Sequence, residues 1–347
     1  APMTHPIEMP PVDGGNADHQ TGAGAPIVAL DRLCKSFGGF RAVDDLSFSV
    51  HQREIFGFLG PNGAGKTTTL RMLLDIIQPT SGRLTILGAE GAIPVRRRIG
   101  YLPEERGLYR KMRAAETIAY FGQLRGLSGR EARRRAHALL EEFGLAPFAR
   151  SRNEALSKGM AQKVQLLATL VHEPDLLILD EPFSGLDPIN QHTLEVLIRS
   201  LRDQGRTIIF STHVMEHAER LCDRFLILAR GQKQFEGTLA EARDLFPPRL
   251  IIRTADPVDP LRQVPGVLSI DPREARGDQT GSPEYEVVLE RNTDIQTILR
   301  AAFEMGLRLE RFEQANTSLH DIFVKIAGDG QHSDLAHQSS LPNGEAA

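Results

Sequence analysis

Gly60, Pro61, Asn62, Gly63, Ala64, Gly65, Lys66, Thr67 and Thr68 spell "GPNGAGKTT", which fits G-x-x-x-x-G-K-[ST]. Glycines let backbone N–H groups wrap phosphate oxygens, and a helix N-terminus adds its dipole. Lys66 would reach the β- and γ-phosphates of a nucleotide, and the Thr67 hydroxyl would hold Mg²⁺. Further on, "LLILDE" (Leu176–Glu181) ends an apolar run in two carboxylates. Asp180 suits the Mg²⁺ shell, through water, and Glu181 is the candidate base that polarises an attacking water. "FSTHVMEH" ends another apolar run at His213. A single histidine there, beside a phosphate site, can contact the γ-phosphate and position water. The same stretch spells H-x-x-E-H through His213, Glu216 and His217, a metalloprotease pattern that needs both histidines on one helix. His213 closes the expected strand "RTIIFST", so the two are not expected to share one.

These residues need a frame to hold them. "EIFGFL" before Gly60 reads as a strand, and "TTTLRMLLDII" after the loop reads as a helix. "IVALDRL" and "LSFSV" alternate apolar and polar residues, as half-buried strands do. "DLLILDE" and "RTIIFSTH" are short and nearly continuous, as in parallel strands covered on both faces. Helical patterns separate them, so the fold class is α/β. This body spans residues 27–246. The stretch Ala114–Phe148 is helical in pattern without a strand candidate, which marks a helical subdomain over roughly 105–170.

"FPPRL" (Phe246–Leu250) breaks the chain. Beyond it come strand "RLIIR", helix Pro257–Val264, strand "VLSID", strand "YEVVLE", helix "IQTILRAAFEMG" and strand "LRLERFE". That βαββαβ order is ferredoxin-like α+β. With the helix "SLHDIFVKIAG", opened by a Ser cap, it predicts an accessory domain over residues 247–328. No catalytic constellation lies in it, which suits a regulatory or dimer-contact module. Residues 1–26 and 329–347 read as disordered from their Pro, Gly and polar content.

The 347 residues leave room for two domains or more. The net charge of −4 gives no general pull toward nucleic acid or acidic membranes. Cys34 and Cys222 match no metal spacing and fit reduced thiols of a cytosolic protein. No run approaches ~18 apolar residues, and no apolar signal core opens the sequence. Work at a membrane would require a partner to hold the chain there.

"LSKGMAQKVQ" (Leu156–Gln165) starts like a helix capped by Ser157, yet it places Gly159 where a helix loses by it. Either the first turn is flexible or a phosphate sits on it. The chain carries, in order, the P-loop, "YLPEE" (Tyr101–Glu105), "LSKGM", "LLILDE", "SGLDP" (Ser184–Pro188) and "STH" (Ser211–His213). Together these resemble the nucleotide-binding subunit of an ATP-binding cassette (ABC) transporter, over roughly two thirds of the chain. The resemblance implies a P-loop NTPase ABC ATPase that hydrolyses ATP with Mg²⁺, two subunits sandwiching two ATP molecules. Ser157 and Gly159 would then cap the γ-phosphate of ATP held by the other subunit. Asp187 would lie in the inter-subunit loop, and His213 would be the γ-phosphate switch. Phe37, in "KSFGGF", would stack on adenine, with Phe40 as the alternative. Lys158 and Met160 depart from the family's "LSGGQ". Glu104 stands where most members carry Gln, a residue that touches Mg²⁺ or water. A carboxylate there can still accept hydrogen bonds and bind Mg²⁺.

"IGYLPEERGLY", "LSKGMAQKVQ" and "SLHDIFVKIAG" are similar to the ATP-binding subunits of ABC type-2 exporters, including sodium-extrusion and drug or antibiotic exporters. That branch implies a peripheral subunit on the cytoplasmic face of the membrane, driving a separate transmembrane type-2 permease. A coupling helix of the permease would dock at the helical insertion and the loop after Glu104, near Arg106 and Tyr109. A second ATP-binding subunit, an identical copy, would complete the sandwich. The alternatives are a soluble ABC ATPase without a permease and the ATPase of an importer. A protein that binds ATP without turning it over is a third, opposed by the intact Lys66, Asp180, Glu181 and His213. Repair-type soluble members insert long coiled coils and translation types carry two cassettes, whereas this chain has a short insertion and one P-loop.

Overall fold

The computed structural model describes residues 25–105, 107–273, 282–315 and 317–327. Arg106, residues 1–24 and the expected tail 329–347 lie outside them. The chain opens with β1 (Val28–Phe37), β2 (Phe40–Val50), β3 (Ile55–Leu59), α1 (Lys66–Leu73), β4 (Ser81–Ile86) and β5 (Ala89–Glu90). Strands β2-β1-β4-β5 form an antiparallel sheet.

Next come β6 (Ile99–Leu102), α2 (Ala114–Leu124), α3 (Gly129–Glu142), α4 (Lys158–Leu170), β7 (Leu176–Asp180) and α5 (Pro188–Asp203). They are followed by β8 (Thr207–Thr212), α6 (Met215–Leu221), β9 (Arg224–Ala229), β10 (Gln232–Gly237) and α7 (Leu239–Asp244). The second sheet runs β10-β9-β3-β8-β7-β6, parallel throughout except for β10 at one edge.

Every residue of β3, β7 and β8 is buried, and their side chains divide by the two-residue period of a strand. Phe56, Phe58, Leu176, Ile178 and Ile209 pack against the first sheet and α1. Leu177, Leu179, Ile208 and Phe210 face the opposite way, toward α2, α4 and α5. Each such side chain contributes about 1.5–3 kcal/mol by leaving water. This explains why these strands read as unbroken apolar runs.

The C-terminal body contains β11 (Arg249–Arg253), β12 (Val267–Arg273), β13 (Glu284–Leu289), α8 (Ile295–Glu304) and β14 (Arg311–Ala315). Its sheet order, β12-β13-β11-β14, is antiparallel throughout and has the ferredoxin-like connectivity. The expected helix Pro257–Val264 differs: it is a single 3₁₀ stretch, Asp259–Gln263. Pro257, Pro260 and Pro265 crowd it. Each removes a backbone donor and restricts its predecessor, so the helix cannot propagate. Leu261 still fills the core position a helix would have filled.

The chain ends its described part in a helix at 319–327, whose first turn is capped by Ser318 accepting the Asp321 N–H at 3.1 Å. Leu319, Ile322, Phe323 and Ile326 of this helix share a cluster with Leu59, Met215, Ala218, Phe225 and Ile227 of the first body. Among the described residues no helix is long and apolar enough to cross a membrane.

Candidate nucleotide site

Parallel register sets the site. Leu59, the last residue of β3, lies level with Thr212 of β8 and Ile227 of β9. Asp180, the last residue of β7, lies level with Ser211. The P-loop and both carboxylates therefore leave the sheet at one edge, the carboxyl end of its strands, where open α/β sheets bind ligands.

Gly65 caps α1 at φ 102°. A Cβ there would lie 2.5 Å from the Ala42 carbonyl oxygen, so only glycine fits. Lys66 is buried. Its Nζ donates to the carbonyls of Gly60 at 2.7 Å and Pro61 at 3.2 Å, and lies 3.6 Å from Glu181 Oε1. Burial lowers the Lys66 pKa, and the charges of Glu181, Asp180 and Glu104 oppose that shift.

Thr67 Oγ1 lies 3.5 Å from Asp180 Oδ1. Ser211 Oγ donates to that same carboxylate oxygen at 2.5 Å and accepts the Glu181 N–H at 2.9 Å. One hydroxyl thus fixes both acidic residues. Glu181 needs the support, because its φ of 47° is left-handed and costs a bulky residue of order 1–3 kcal/mol. Its Oε2 is 3.0 Å from His213 Nδ1. The carboxylate is 9% exposed and the imidazole 50% exposed, so the histidine bridges a buried carboxylate to solvent.

Glu104 is exposed, yet its charge reaches Lys66 and Tyr101. The Tyr101 hydroxyl is pushed up to about 12, first by burial and then by the Asp180 charge. Phe37 and Phe40 pair across the β1–β2 turn, both exposed. Lys35 Nζ sits 5.0 Å from the Phe37 ring centroid, which makes Phe37 the ring already tied to a cation.

Ser157, Gly159 and Asp187 gather in a second cluster. Ser157 Oγ caps α4 by accepting the Met160 N–H at 3.2 Å. Asp187 caps α5, accepting the Asn190 N–H at 3.0 Å and its side-chain amide at 2.6 Å. These two bonds hold the Asp187 carboxyl below its usual range. Among the described residues, no hydrogen bond or ion pair joins Ser157 or Gly159 to Lys66, Asp180 or Glu181. The clusters communicate through Gln162, whose amide donates to the Pro182 carbonyl at 3.1 Å, next to Glu181.

Gly159 has a cause within the chain. A Cβ on it would lie 2.6–2.8 Å from Asn190 Nδ2, Cγ and Oδ1. Asn190 cannot swing aside without breaking its bond to Asp187, a charge-assisted contact of about 1.5–3 kcal/mol. Gly159→Ala is expected to lower the thermal midpoint by about 2–8 °C, and Asn190→Ala in the same chain to restore most of it. Unchanged stability in Gly159→Ala would show that Asn190 moves freely. Ser211, Asn190 and Gln162 are the residues that the sequence reading did not single out. Their only signal is position: Ser211 opens the "STH" stretch at the end of β8, and Gln162 and Asn190 lie in the first turns of α4 and α5, each three residues after Gly159 or Asp187.

His213 and His217 serve different partners. His213 precedes α6 and faces Glu181, whereas His217 lies within α6, 3.1 Å from Glu195 Oε1 and stacked on Phe183 at 4.1 Å. The H-x-x-E-H spelling therefore does not place both rings at one point. Among the described residues, no three His, Cys, Asp or Glu side chains form a cluster able to hold a metal unaided.

This fold and this edge of carboxylates, lysine and histidine around a P-loop define a nucleotide-hydrolysing domain of the ABC type. Residues 43–184 match the ABC transporter family, and residues 237–327 match the C-terminal domain described as ATP-binding protein DrrA1-3-like. An uncharacterized ABC transporter ATP-binding protein of Bacillus subtilis, YhaQ, is 37% identical over 87% of this chain and 99% of its own length. Nod factor export ATP-binding protein I of Cupriavidus pinatubonensis is 36% identical over 87% of this chain and 91% of its own. A solved structure titled as the ATP-binding subunit of an ABC transporter superposes with a TM-score of 0.58 at 35% identity, covering 63% of this chain and 92% of its own. The chain belongs to the ABC transporter ATP-binding protein family and is an ATP hydrolase.

Proposed function

We propose that the chain is the ATP-hydrolysing subunit of an exporter, peripheral to the cytoplasmic face of a membrane and working with a separate type-2 permease. Residues 27–246 form the ATPase domain and 247–328 the accessory domain. The observation that carries this reading is the division of the site. Lys66, Asp180, Glu181 and His213 converge at the sheet edge, while Ser157, Gly159 and Asp187 gather separately on α4 and α5. A γ-phosphate bound at the P-loop of one copy would then receive the α4 N-terminus of a second, head to tail. The likeness to a Nod factor export protein supports export over import.

Each residue has a task in this scheme. Lys66 turns from Glu181 to the β- and γ-phosphates. Thr67 and Asp180, whose oxygens already converge, would hold Mg²⁺, with Glu104 at its edge. That ion keeps several waters and uses few protein ligands, which suits one hydroxyl and one carboxylate. When bound it neutralises charge on the phosphate oxygens. Glu181 accepts the proton of the attacking water, and His213 holds the γ-phosphate. Phe37 stacks on adenine.

The permease is expected at a cavity of about 220 Å³ beside Glu104, lined by Tyr101, Pro103, Leu108, Phe121 and Arg125. Exposed Tyr109, whose ring rests edge-on against Tyr120, lies at the start of this subdomain. Arg125 donates to the Arg96 carbonyl at 2.8 Å and has no carboxylate partner among the described residues. Burial and the Arg96 charge lower its pKa. Such a cation favours an acidic side chain on the permease segment. The test uses the full chain carrying Glu181→Gln, with MgATP, as bait in detergent-solubilised membranes. One multi-spanning protein in equal amount is expected, and Arg125→Glu in the same bait should reduce its recovery at least about tenfold. Soluble partners alone, or a bare homodimer, would overturn the permease reading.

A further inference from the structure

The last described helix, 319–327, leaves its own domain. Its apolar residues Leu319 and Ile322 are fully buried against Met215 and Ala218 of α6 and against Leu59, the residue before the P-loop. A polar clamp fastens the same helix pair. Glu219 of α6 accepts Arg243 Nη2 at 2.6 Å and the Leu319 N–H at 3.4 Å. Arg243 of α7 also donates, through Nε, to the Thr317 carbonyl at 3.0 Å. Lys325 covers the Phe246 ring at 5.0 Å, where the two bodies join. Helix α6 begins two residues after His213, and Val214 between them is fixed by donating its N–H to Thr212 Oγ1 at 3.0 Å. No slack separates the clamp from the histidine beside Glu181.

We propose that the C-terminal body acts on ATP turnover through α6: Glu219, Arg243 and the helix at 319–327 are positioning elements for His213. The accessory domain need not touch nucleotide. Its strand β14 ends at Ala315, three residues before Ser318 and the clamped helix, so a shift of that sheet pulls on the clamp at α6. Arg243 is 33% and Glu219 26% exposed, so the pair is accessible enough to open and dry enough to be directional. This rests on the reading of His213 as the γ-phosphate contact, and the variants below separate the two.

The experiment compares full-length wild type with Arg243→Met, Glu219→Gln, Arg243→Lys and His213→Ala, measuring kcat, KM for MgATP and thermal midpoint. Arg243→Met and Glu219→Gln should each lower kcat about five- to twentyfold with KM within about twofold, because nucleotide contacts are untouched. Arg243→Lys should recover at least half of kcat, and the double variant should be no worse than either single one, as expected of one pair. Glu219→Gln is isosteric and carries the test if Arg243→Met does not fold. A kcat within twofold of wild type in both variants, while His213→Ala is inactive, would overturn the clamp and leave His213 standing. Parallel losses of stability, KM and kcat without rescue by lysine would overturn it as well, by making the pair merely structural. Retained turnover in His213→Ala would instead remove the role of His213 on which the proposal rests.

Discussion

Glu181→Gln is expected to cut ATP turnover by about 10²–10⁴-fold while leaving MgATP binding intact. The carboxylate stands at the strand edge with Ser211 holding its backbone and His213 its far oxygen. An amide fits that space and keeps the hydrogen bonds, but it cannot accept a proton from water. In the proposed scheme phosphate binding rests on Lys66 and the P-loop backbone; the change releases Lys66 from its 3.6 Å ion pair and leaves the backbone as it is. Loss of one negative charge near the γ-phosphate should favour binding, so the closed pair of subunits accumulates. Elution of the variant in MgATP as a dimer, with the wild type monomeric after turnover, is the expected pattern. Turnover within tenfold of wild type would remove Glu181 as the base.

Much of this arrangement is legible in the sequence. The P-loop announced itself because its chemistry demands fixed residue types between a strand and a helix, and the two carboxylates because they end an apolar run. The βαββαβ order was legible for the same reason, since periodicity reports which face of an element is buried. Contacts between distant segments leave no such period. Asn190 over Gly159 and Ser211 bridging Asp180 to Glu181 are set by packing of α5 on α4 and of β8 on β7. The two readings of Gly159, a loose turn or a phosphate, omitted the third cause, a neighbouring amide. The return of the last helix onto α6 was equally hidden: "SLHDIFVKIAG" announces an amphipathic helix but not whose core it joins. The prolines around Asp259–Gln263 were visible, and their effect on helix length outweighed the helical spacing of the apolar residues between them.

Lys66→Ala should have two separable effects. MgATP affinity should fall at least about 100-fold, because a charge-assisted contact to the β- and γ-phosphates is lost where, among the described residues, no other lysine or arginine pairs with Glu181. The nucleotide-free chain should also lose stability, for a different reason. Lys66 and Glu181 form an ion pair whose side chains are 6% and 9% exposed, and removing one partner strands the other's charge. Such a stranded charge costs about 3–5 kcal/mol when fully enclosed, and less here because His213 remains at 3.0 Å. The Gly60 carbonyl loses the Lys66 donor as well, whereas the Pro61 carbonyl keeps the Ala64 N–H at 3.2 Å. The double variant Lys66→Ala with Glu181→Gln discriminates between these causes. It should regain much of the thermal midpoint, since no charge is left stranded, yet bind MgATP as weakly as Lys66→Ala alone. Calorimetric titration with MgATP and thermal unfolding without nucleotide measure the two separately. Binding within threefold of wild type in Lys66→Ala would remove the lysine from the phosphate site. Equal midpoints in the single and double variants would show instead that the carbonyl bonds, not the Glu181 charge, hold this edge of the sheet together.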